Sequence, residues 1–566
     1  MSDDDDHYAT LLTDATFRDV ASQPAWDTIV IGSGMGGLTA ASVLAQSGER
    51  VLLLEKHTRL GGCTHEFTRH GITFDTGLHY VGQVWSEGCM ARRLFDFVTD
   101  SSITWVKLDD VYDVAVVDGE TFEFRAGMDK QVADLVKRFP EHEDAIYRYF
   151  VDVQKTAARY SRFAGEQVAS GYVNPAVLRL LSDKSFGDET VDQALDRLCV
   201  VDQRLRNVLT YLHGDYGAVS SESSYVQHAA VVVHYSEGAA YPRGGPSTIA
   251  QAVSRVIAKH GGRCLRHARV QSLLVERGRV AGVVLHGHDS VPILAAKVIS
   301  CIGAANTFLG LFPSTVAPNL PLVQRARDDL AKIPNGVAHS MLFVALKGDR
   351  EALKLPAAQW WINSTSQAVF ESVFISFPSA KDPTFAQRHP GVSVCEMVVE
   401  QRYADFAVWE LAAIKQRGPE YEAHKELLAA QMFNVLFAYF PQLKDHVDFY
   451  EVSTPLTAAH YLGSREGTAY GLRCVPARFR ANHDWLRPAT ALPGLYLGGQ
   501  DVLSCGIVGA LLGGSAAACA SSFAALRSLR PIFMSSPGGG SGRDAWEPPL
   551  SVAGAPPAAG LAVAQL

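Results

Sequence analysis

The chain has 566 residues, of which 47% are hydrophobic and 19% charged, and it carries a net charge of -8 with a pI near 6.2. This balance suits one large globular domain or two interleaved ones, and it excludes a nucleic-acid partner, which would select a basic surface. The nine cysteines are scattered singly with no C-x-x-C pair, so we expect a reducing compartment and no metal site.

The N-terminal segment, residues 1–24, is polar and acidic, and we expect it to be a loosely held, flexible arm. It lacks the basic and then apolar pattern of a signal peptide. We therefore expect no secretory or transit segment and a cytoplasmic or peripheral-membrane location.

A short apolar run, Thr28–Ile31, predicts a buried parallel strand that ends in a glycine cluster. The glycines follow the spacing Gly32-x-Gly34-x-x-Gly37. The first glycine allows a tight turn, the second lets the backbone approach a pyrophosphate, and the third lets a helix pack closely on the strand. That helix is predicted to run to about Gln46, with its N-terminal amides directed at the phosphate.

A second buried strand, Val51–Leu54, is predicted to end on Glu55, which lies 18 residues past Gly37. An acid at this place accepts a hydrogen bond from a ribose hydroxyl. A second glycine turn, Arg59-x-Gly61-Gly62, follows, and Asp75 to His79 return the chain to the same region. This layout favours FAD held in an extended form over free NAD.

Several motifs resemble a single flavoenzyme superfamily, that of phytoene desaturases and carotenoid isomerases, and most closely its all-trans-retinol 13,14-reductase (retinol saturase) branch. The resemblance covers roughly residues 25–528 and implies an FAD enzyme that acts on an apolar polyene, a retinoid or a carotenoid. The motifs that carry it are Gly61-Gly-Cys-Thr-His-Glu-Phe67, Phe74-Asp-Thr-Gly-Leu-His-Tyr-Val-Gly82, Tyr241-Pro-Arg-Gly-Gly245, Phe377-Pro-Ser-Ala-Lys-Asp-Pro-Thr384, Gly499-Gln-Asp501 and Cys505-Gly-Ile-Val-Gly-Ala510.

The fold class implied is α/β: a Rossmann-like FAD-binding domain of the amine-oxidase type, interleaved with an α+β substrate domain that contains an antiparallel sheet. We expect the FAD domain at residues 25–100, 241–305 and 471–530, and the substrate domain at 101–240 and 306–470. Residues 531–566 are rich in Gly, Pro, Ser and Ala and predict a disordered tail.

Within the substrate domain, Val111–Val117 and Thr121–Phe124 flank an Asp-Gly pair and predict a β-hairpin. Helices are predicted from residue 128 to about 211, and a strand from Arg266 to Val275. The uncharged run 502–526 is long enough to span a membrane. Because it consists largely of Gly, Ala, Ser and Cys, we favour a buried helix.

The residues expected to hold FAD lie in the glycine turns and at the strand ends. The resemblance gives Val270 the backbone contact to adenine, Asp501 the bond to the ribityl or pyrophosphate end, and the start of the last helix the flavin N1 and O2 edge. Arg59 either bonds the pyrophosphate or makes a surface salt bridge. The full set is Gly32, Ser33, Gly34, Met35, Gly36, Gly37, Glu55, Lys56, Arg59, Gly61, Gly62, Val270, Gly303, Gly499, Asp501, Ile507 and Val508.

An electron donor for the flavin is less well defined. No second Gly-x-Gly-x-x-Gly with a downstream acid occurs, so we expect no dedicated NAD(P) domain. The family implies that NAD(P)H would then bind in the substrate opening. Neither the oligomeric state nor the polyene follows from the sequence.

Reduction of an alkene needs a hydride donor and a proton donor. Four residues near the glycine turns are candidate proton donors. His65 is the first choice, and its alternative role is a bond to flavin or backbone. Glu66 is either a surface carboxylate or a local acid. His79 and Tyr80 either line the cavity or pack together in the core, while Asp75 is expected to fix its loop by bonding backbone amides.

Three functions compete at this stage. The first is saturation of a retinoid or a related polyene. The second is desaturation or cis-trans isomerisation of a carotenoid on the same fold. The third is binding of flavin and polyene without turnover. The mass of the product separates the first two, and any time-dependent product excludes the third.

Overall fold

The computed structural model describes residues 8–534, apart from residue 290 and the segments 364–368 and 480–483. The first seven residues of the predicted arm and residues 535–566 of the predicted tail lie outside the described residues. Residues 531–534, the start of that predicted tail, instead end the last helix.

The described strands are short, and they are distributed along the whole chain. In chain order they are β1 (Ala9–Leu11), β2 (Trp26–Ile31), β3 (Val51–Leu54), β4 (Glu66–Arg69), β5 (Ile72–Asp75), β6 (Val81–Gly82), β7 (Trp105–Lys107), β8 (Val111–Val117), β9 (Glu120–Arg125), β10 (Ala239–Pro242), β11 (Arg263–Arg266), β12 (Val270–Glu276), β13 (Arg279–Leu285), β14 (Ile293–Ser300), β15 (Ala338–Lys347), β16 (Gln359–Asn363), β17 (Ser372–Ser376), β18 (Val392–Gln401), β19 (Val447–Ser453) and β20 (Leu495–Leu497).

The described α-helices range from one turn to 27 residues. They are α1 (Asp14–Ser22), α2 (Met35–Gln46), α3 (Met90–Thr99), α4 (Met128–Arg138), α5 (Glu143–Ala169), α6 (Pro175–Leu181), α7 (Val191–Arg197), α8 (Gln203–Leu209), α9 (Tyr225–Tyr235), α10 (Ser247–Lys259), α11 (Pro321–Leu330), α12 (Arg350–Leu353), α13 (Pro378–Lys381), α14 (Phe385–Arg388), α15 (Pro419–Tyr439), α16 (Pro455–Tyr461), α17 (Pro476–Phe479), α18 (Gly506–Ser521) and α19 (Phe523–Met534).

The first sheet has eight strands and is mixed. Its parallel part runs β1-β11-β3-β2-β14-β20, and β13 and β12 extend it from β14 in antiparallel fashion. The last residues of β2, β3, β14 and β20 lie in register, so their carboxyl ends share one edge. In an open parallel sheet, ligands bind outside this edge.

The second sheet has seven strands in the order β19-β15-β18-β17-β16-β8-β9. All neighbours are antiparallel except β16 and β8, which run parallel. The predicted hairpin is confirmed as β8 and β9. Alternate residues of this sheet face opposite sides. Cys395 and Met397 pack with Met432 of α15, and the other face, which includes Phe374 and Trp361, joins the large central core.

Two sequence predictions of local structure are wrong. Residues 8–24 are not a loose arm, because β1 pairs with β11 and α1 buries Phe17 and Val20. The strand predicted over Arg266–Val275 starts too early, because Arg266 ends β11 and β12 begins only at Val270. The chain turns between them at His267, which has a φ of 61°, and an apolar pattern contains no signal for such a turn.

The uncharged run forms α18, which is largely buried and packs closely against α2, so the prediction of a buried helix is confirmed. A Cβ added to Gly514 of α18 would lie 2.2 Å from the carbonyl oxygen of Gly36, so glycine is needed for this approach. Within the described residues, none of the helices has both the length and the apolar character that crossing a membrane requires.

Candidate active site

The turn between β2 and α2 has the shape of a phosphate-binding loop. Gly32 has a φ of 92°, and a Cβ on Gly37 would lie 1.8 Å from the carbonyl oxygen of Gly32. A Cβ on Gly34 would meet no atom within 4 Å. The first and third glycines are therefore required by the fold, whereas the second borders open space. Met35 begins α2, and no side chain caps its N-terminal amides, which suits an anionic ligand.

Glu55 joins this loop to the second glycine turn. Its Oε2 accepts hydrogen bonds from the amide and hydroxyl of Ser33 at 2.8 and 2.6 Å, and its Oε1 accepts from the amide of His57 at 2.7 Å. The Ser33 hydroxyl in turn accepts from the amide of Gly61 at 3.2 Å. The carboxylate is thereby held in one orientation, and Oε1, which accepts a single hydrogen bond, keeps capacity for a further donor.

Asp501 ties together three loops at the same edge. Its Oδ2 accepts from the amide of Ala304 at 2.7 Å, and its Oδ1 accepts from the amide of Leu472 at 2.9 Å. A Cβ on Gly303 would lie 3.3 Å from Oδ2, and a Cβ on Gly36 would lie 2.6 Å from the Cα of Gly499. The Asp501 carboxylate thus already accepts hydrogen bonds from two backbone amides. Its bond to the ribityl or pyrophosphate end of FAD stays a prediction.

The remaining predicted cofactor residues lie around these loops. Val270 begins β12, and two residues before it the amide of Ala268 donates to the carbonyl oxygen of Glu55 at 2.7 Å. Gly62 faces Gly34, since a Cβ on Gly62 would lie 3.0 Å from the Cα of Gly34. The loops that contain Gly34, Val270 and Asp501 are therefore joined by contacts of neighbouring residues: Glu55 bonds both Ala268 and Ser33, and Gly36 packs against Gly499. Ile507 and Val508, in the first turn of α18, are half-buried.

Two predicted cofactor residues are engaged elsewhere. Lys56 donates from its ammonium to the carbonyl oxygen of His460 at 3.1 Å, and Arg59 donates to the carbonyl oxygen of Glu66 at 3.4 Å. Neither side chain points unpartnered into the glycine turns. Their predicted bonds to FAD would require these contacts to change.

His65 is buried, and its Nδ1 lies 2.6 Å from the carbonyl oxygen of Gly62. Burial lowers its pKa to about 4. A ring that is neutral near pH 7 and bonded to its own turn is a weak proton donor. The geometry therefore favours the alternative role, that of a histidine that fixes the turn.

Glu66 is not a surface carboxylate. It is 4% exposed, its carboxylate is hydrogen-bonded to the hydroxyl of Ser247, and it also lies against Gly245. Burial raises its pKa. The surface prediction fails because β4 pairs with β5 and is covered by the start of α10, a long-range contact that local sequence does not report.

A buried acidic cluster surrounds the return segment. Tyr241 donates to Asp75 Oδ2 at 2.6 Å, and the amide of Asp75 donates to Glu396 at 2.7 Å, so the Asp75 carboxylate bonds a phenol rather than the expected backbone amides. Burial raises the pKa of Asp75 well above its usual range and that of Glu396 to about 8. Lys381 donates to the carbonyl oxygen of His79 at 2.6 Å. His79 Nδ1 lies 3.2 Å from Glu396.

Burial lowers the pKa of His79 to about 3, so its ring is neutral near pH 7. The ring packs 5.0 Å from that of Phe374. These contacts match the packed-core alternative better than a role as proton donor.

Tyr80 belongs to a second cluster that the sequence analysis missed. Its hydroxyl lies 3.3 Å from Asp113 Oδ2 and 3.4 Å from Asp215 Oδ2. Tyr211 also donates to Asp113 Oδ2, at 2.9 Å. A lone aspartate inside the apolar run of β8 was a signal that could have identified Asp113. Asp215 follows a glycine in an irregular segment, and no local pattern marks it.

Aromatic rings flank this cluster on one side. Tyr80 stacks on Tyr235 with ring centroids 4.4 Å apart, and Phe374 lies 6.4 Å from Tyr80 and 4.6 Å from Trp361. The thiol of Cys505, which precedes α18, lies 3.7 Å from the carbonyl oxygen of Asp215. The cluster therefore adjoins both the segment that leads into α18 and these rings, which we call the aromatic wall.

The chain is similar to proteins of one enzyme group over most of its length. The human all-trans-retinol 13,14-reductase is 33% identical over 528 residues, which cover 86% of this chain and 84% of that protein. The chain belongs to the all-trans-retinol 13,14-reductase family. An inactive all-trans-retinol 13,14-reductase of Danio rerio is 28% identical with the same coverage. Prolycopene isomerase 1 of an Oncidium hybrid is 27% identical over 79% of this chain and 75% of its own.

The fold of this family member is supported by two further comparisons. Residues 30–98 match a family described as an NAD(P)-binding Rossmann-like domain. Cyclohexylamine oxidase from Brevibacterium oxydans superposes with a TM-score of 0.56 at 16% identity, covering 89% of this chain and all of that chain. The α/β class and the Rossmann-like, amine-oxidase-type architecture are thus confirmed. The domain limits, which these comparisons do not address, stay a prediction.

Proposed function

We propose that the protein is an FAD-dependent oxidoreductase that reduces one carbon-carbon double bond of an apolar polyene, a retinoid such as retinol. The observation that carries this proposal is the set of contacts that joins the loops around Gly34, Val270 and Asp501, together with the nearby cluster of Tyr80, Asp113 and Asp215 and the aromatic wall. Membership in the all-trans-retinol 13,14-reductase family supports the substrate class.

The residues at this edge fit FAD. The open space at Gly34 and the uncapped amides of α2 suit its pyrophosphate, and the fixed carboxylate of Glu55 suits a ribose hydroxyl. The uncapped first turn of α18, with the amides of Ile507 and Val508, suits the anionic end of the ring system. Bound FAD would supply the hydride for the reduction.

The chain itself would bind, orient and protonate the substrate. The rings of Tyr235, Phe374 and Trp361 are buried and form an apolar surface that suits a conjugated chain. Their faces also favour a positive charge spread along that chain. Because an unactivated polyene accepts hydride poorly, we expect proton delivery to come early in the reaction.

NAD(P)H is part of the proposal as the electron donor. It would bind in the substrate opening, since the sequence contains a single dinucleotide fingerprint. The family implies this donor.

Two other functions have an observation in their favour. Isomerisation or desaturation of a carotenoid is supported by the similarity to a prolycopene isomerase. A non-catalytic role in binding flavin and polyene is supported by the similarity to a relative named as inactive. The three functions share the fold and differ in the product.

Incubation of the purified holoprotein with all-trans-retinol under anaerobic, reducing conditions tests the proposal. Mass spectrometry should show a product that is heavier than retinol by two hydrogens. A product of unchanged mass with prolycopene favours the isomerase, and a product lighter by two hydrogens favours a desaturase. No product from any of these polyenes contradicts the proposal and leaves the non-catalytic role.

Peripheral contact with a membrane also belongs to the proposal, because the substrate partitions into lipid. The helix α6 exposes Leu180 and Leu181 at 76% and 60%, next to the exposed Arg179. Apolar side chains beside a basic one suit an anionic lipid surface. Co-flotation with phosphatidylserine vesicles that Leu180→Ser fails to weaken would contradict a role for this helix.

A further inference from the structure

Three side chains from distant parts of the chain are joined by hydrogen bonds beside the aromatic wall. Tyr80 follows the return segment, Asp113 lies in β8, and Asp215 ends the turn Tyr211–Asp215. The Tyr80 hydroxyl lies within 3.3 and 3.4 Å of the two carboxyl groups. It therefore joins both acids into one hydrogen-bonded unit, which we call the acid-phenol cluster.

Two phenols supply hydrogen bonds to the two acids. Tyr211 donates to Asp113, and Tyr80 has a single hydroxyl proton that it can donate to only one carboxyl group at a time. Two carboxylates this close repel each other in a buried place, so one of them retains a proton. Burial, and after it the charge of Asp215, raises the pKa of Asp113 well above its usual range, while burial raises the pKa of Asp215 to about 7.

The groups that face the cluster do little to favour ionisation of Asp215. The interacting groups include the phenols of Tyr211, Tyr235 and Tyr470 and the thiol of Cys505, all of which are neutral near pH 7. Lys381 is a cation whose charge interacts with Asp113. Nothing in this set holds Asp215 as a carboxylate in the way that a salt bridge would.

Asp215 is the least buried member of the cluster. Asp113 is fully buried and Tyr80 nearly so, whereas Asp215 and the preceding Gly214 are half-buried. Its carbonyl oxygen contacts the thiol of Cys505, which precedes α18. Asp215 thus contacts the segment that leads into the helix assigned to the flavin and, through Tyr80, a ring of the aromatic wall.

We propose that Asp215 is the acid that protonates the substrate double bond, and that Tyr80 and Asp113 are positioning residues that hold its carboxyl group. This inference rests on the proposed function. In the step, the O–H bond of Asp215 breaks and a C–H bond forms at one end of the double bond. The carbocation is delocalised along the polyene until the hydride completes the reduction. The Asp215 carboxylate then accepts a hydrogen bond from Tyr80 and regains its proton from water.

The first test compares holoprotein variants in a single turnover with retinol. Asp215→Asn should slow product formation by about 10²–10⁴-fold, which is the usual contribution of a general acid. Asp215→Glu should recover part of the rate. The wild-type rate should fall as the pH rises through about 7, where Asp215 loses its proton, and Asp215→Asn should lack this fall. Asp109→Asn, at an exposed aspartate, is the matched control and should keep both rate and pH profile.

A second measurement does not depend on turnover. In the infrared difference spectrum of the wild-type minus the Asp215→Asn holoprotein, the bands of the other buried acids cancel. A band of a protonated carboxyl group should remain in this difference and disappear with a midpoint near pH 7. Tyr80→Phe should keep the band and shift its midpoint, an effect that a merely structural role would not produce.

The outcomes separate this inference from the proposed function. If the wild type forms the reduced product and Asp215→Asn does so at the same rate with the same pH profile, the inference is wrong and the function stands. A difference spectrum between the wild type and Asp215→Asn that contains no such carboxyl band is equally contrary. If the wild type reduces no polyene, the proposed function fails and the inference fails with it.

Discussion

The glycine turn after β2 offers a prediction in which two neighbouring glycines behave in opposite ways. A Cβ at Gly37 would lie 1.8 Å from the carbonyl oxygen of Gly32, whereas a Cβ at Gly34 would meet nothing within 4 Å of the protein. Gly34 also has an ordinary φ of -60°. Gly37→Ala should therefore harm the fold, and Gly34→Ala should harm only the binding of a ligand that occupies the open space.

The magnitudes follow from these distances. Overpacking of a rigid site costs about 1–3 kcal/mol, and the backbone clash at Gly37 lies at or above the upper end of this range. At Gly34, alanine gains about 0.4–1 kcal/mol from the less flexible unfolded chain and loses about as much as a poorer N-cap residue. The net change in stability should stay within about 1 kcal/mol. If the new methyl group displaces the pyrophosphate at a cost of about 1–3 kcal/mol, the Kd for FAD rises about 5–150-fold.

The assay measures both quantities on each variant. Thermal unfolding of the cofactor-free proteins should show a Tm for Gly34→Ala within about 2–4 °C of the wild type. Gly37→Ala should melt well below both. Titration with FAD, followed by flavin fluorescence, should show weakened binding for Gly34→Ala. Wild-type affinity in Gly34→Ala would refute the reasoning, because the pyrophosphate would then not approach this turn.

Three further predictions rest on named contacts. Glu55→Ala removes the carboxylate that accepts hydrogen bonds from Ser33 and His57, so flavin retention and Tm should both fall, and Glu55→Gln should be intermediate. Equal flavin content in the wild type and both variants would count against a role of Glu55 in holding FAD. Burial lowers the pKa of His228 to about 3, below its ordinary 6.5, so the stability that the neutral ring contributes is complete above about pH 6.5 and is lost as the pH falls. Relative to His228→Gln, the wild type should lose about 1.4 kcal/mol of unfolding free energy per pH unit between about pH 6 and about pH 4. Urea unfolding at several pH values measures this, and a constant difference in unfolding free energy between the two proteins would contradict the prediction. Because the pKa of Asp215 is raised to about 7, its carboxyl group destabilises the folded state increasingly as the pH rises from about 4 to about 7. Asp215→Asn should therefore raise the Tm at about pH 8 and leave it nearly unchanged at about pH 4, as calorimetry at the two pH values would show.

Local patterns predicted the elements whose signals are contained within a few residues. The β2-turn-α2-β3 unit and the hairpin β8–β9 both occur where hydrophobic period, glycine spacing and turn residues predicted them. The arm at residues 8–24 was missed because its order depends on pairing with β11, more than 250 positions away. A polar segment has no local feature that reveals such a partner.

The residues of the candidate site also fall into two groups, those with a local sequence signal and those without one. The glycines that shape the cofactor loops could be located from spacing, because each acts through its own backbone conformation. Glu66 was placed on the surface because a charged residue is usually exposed, and its burial under Ser247 depends on how α10 docks. No local sequence pattern identified Asp215. The environment of its carboxyl group is formed by Tyr80 and Asp113, which are 135 and 102 positions earlier in the chain.

The sequence by itself determined the type of cofactor domain, the family and the places where backbone segments approach one another closely, because periodicity and glycine spacing act over a few neighbouring residues. The tertiary structure alone decided which acids are buried and which groups share hydrogen bonds with them. Proton affinity depends on burial and on charges within a few ångströms, and in this protein those neighbours come from strands and turns that are far apart in the chain.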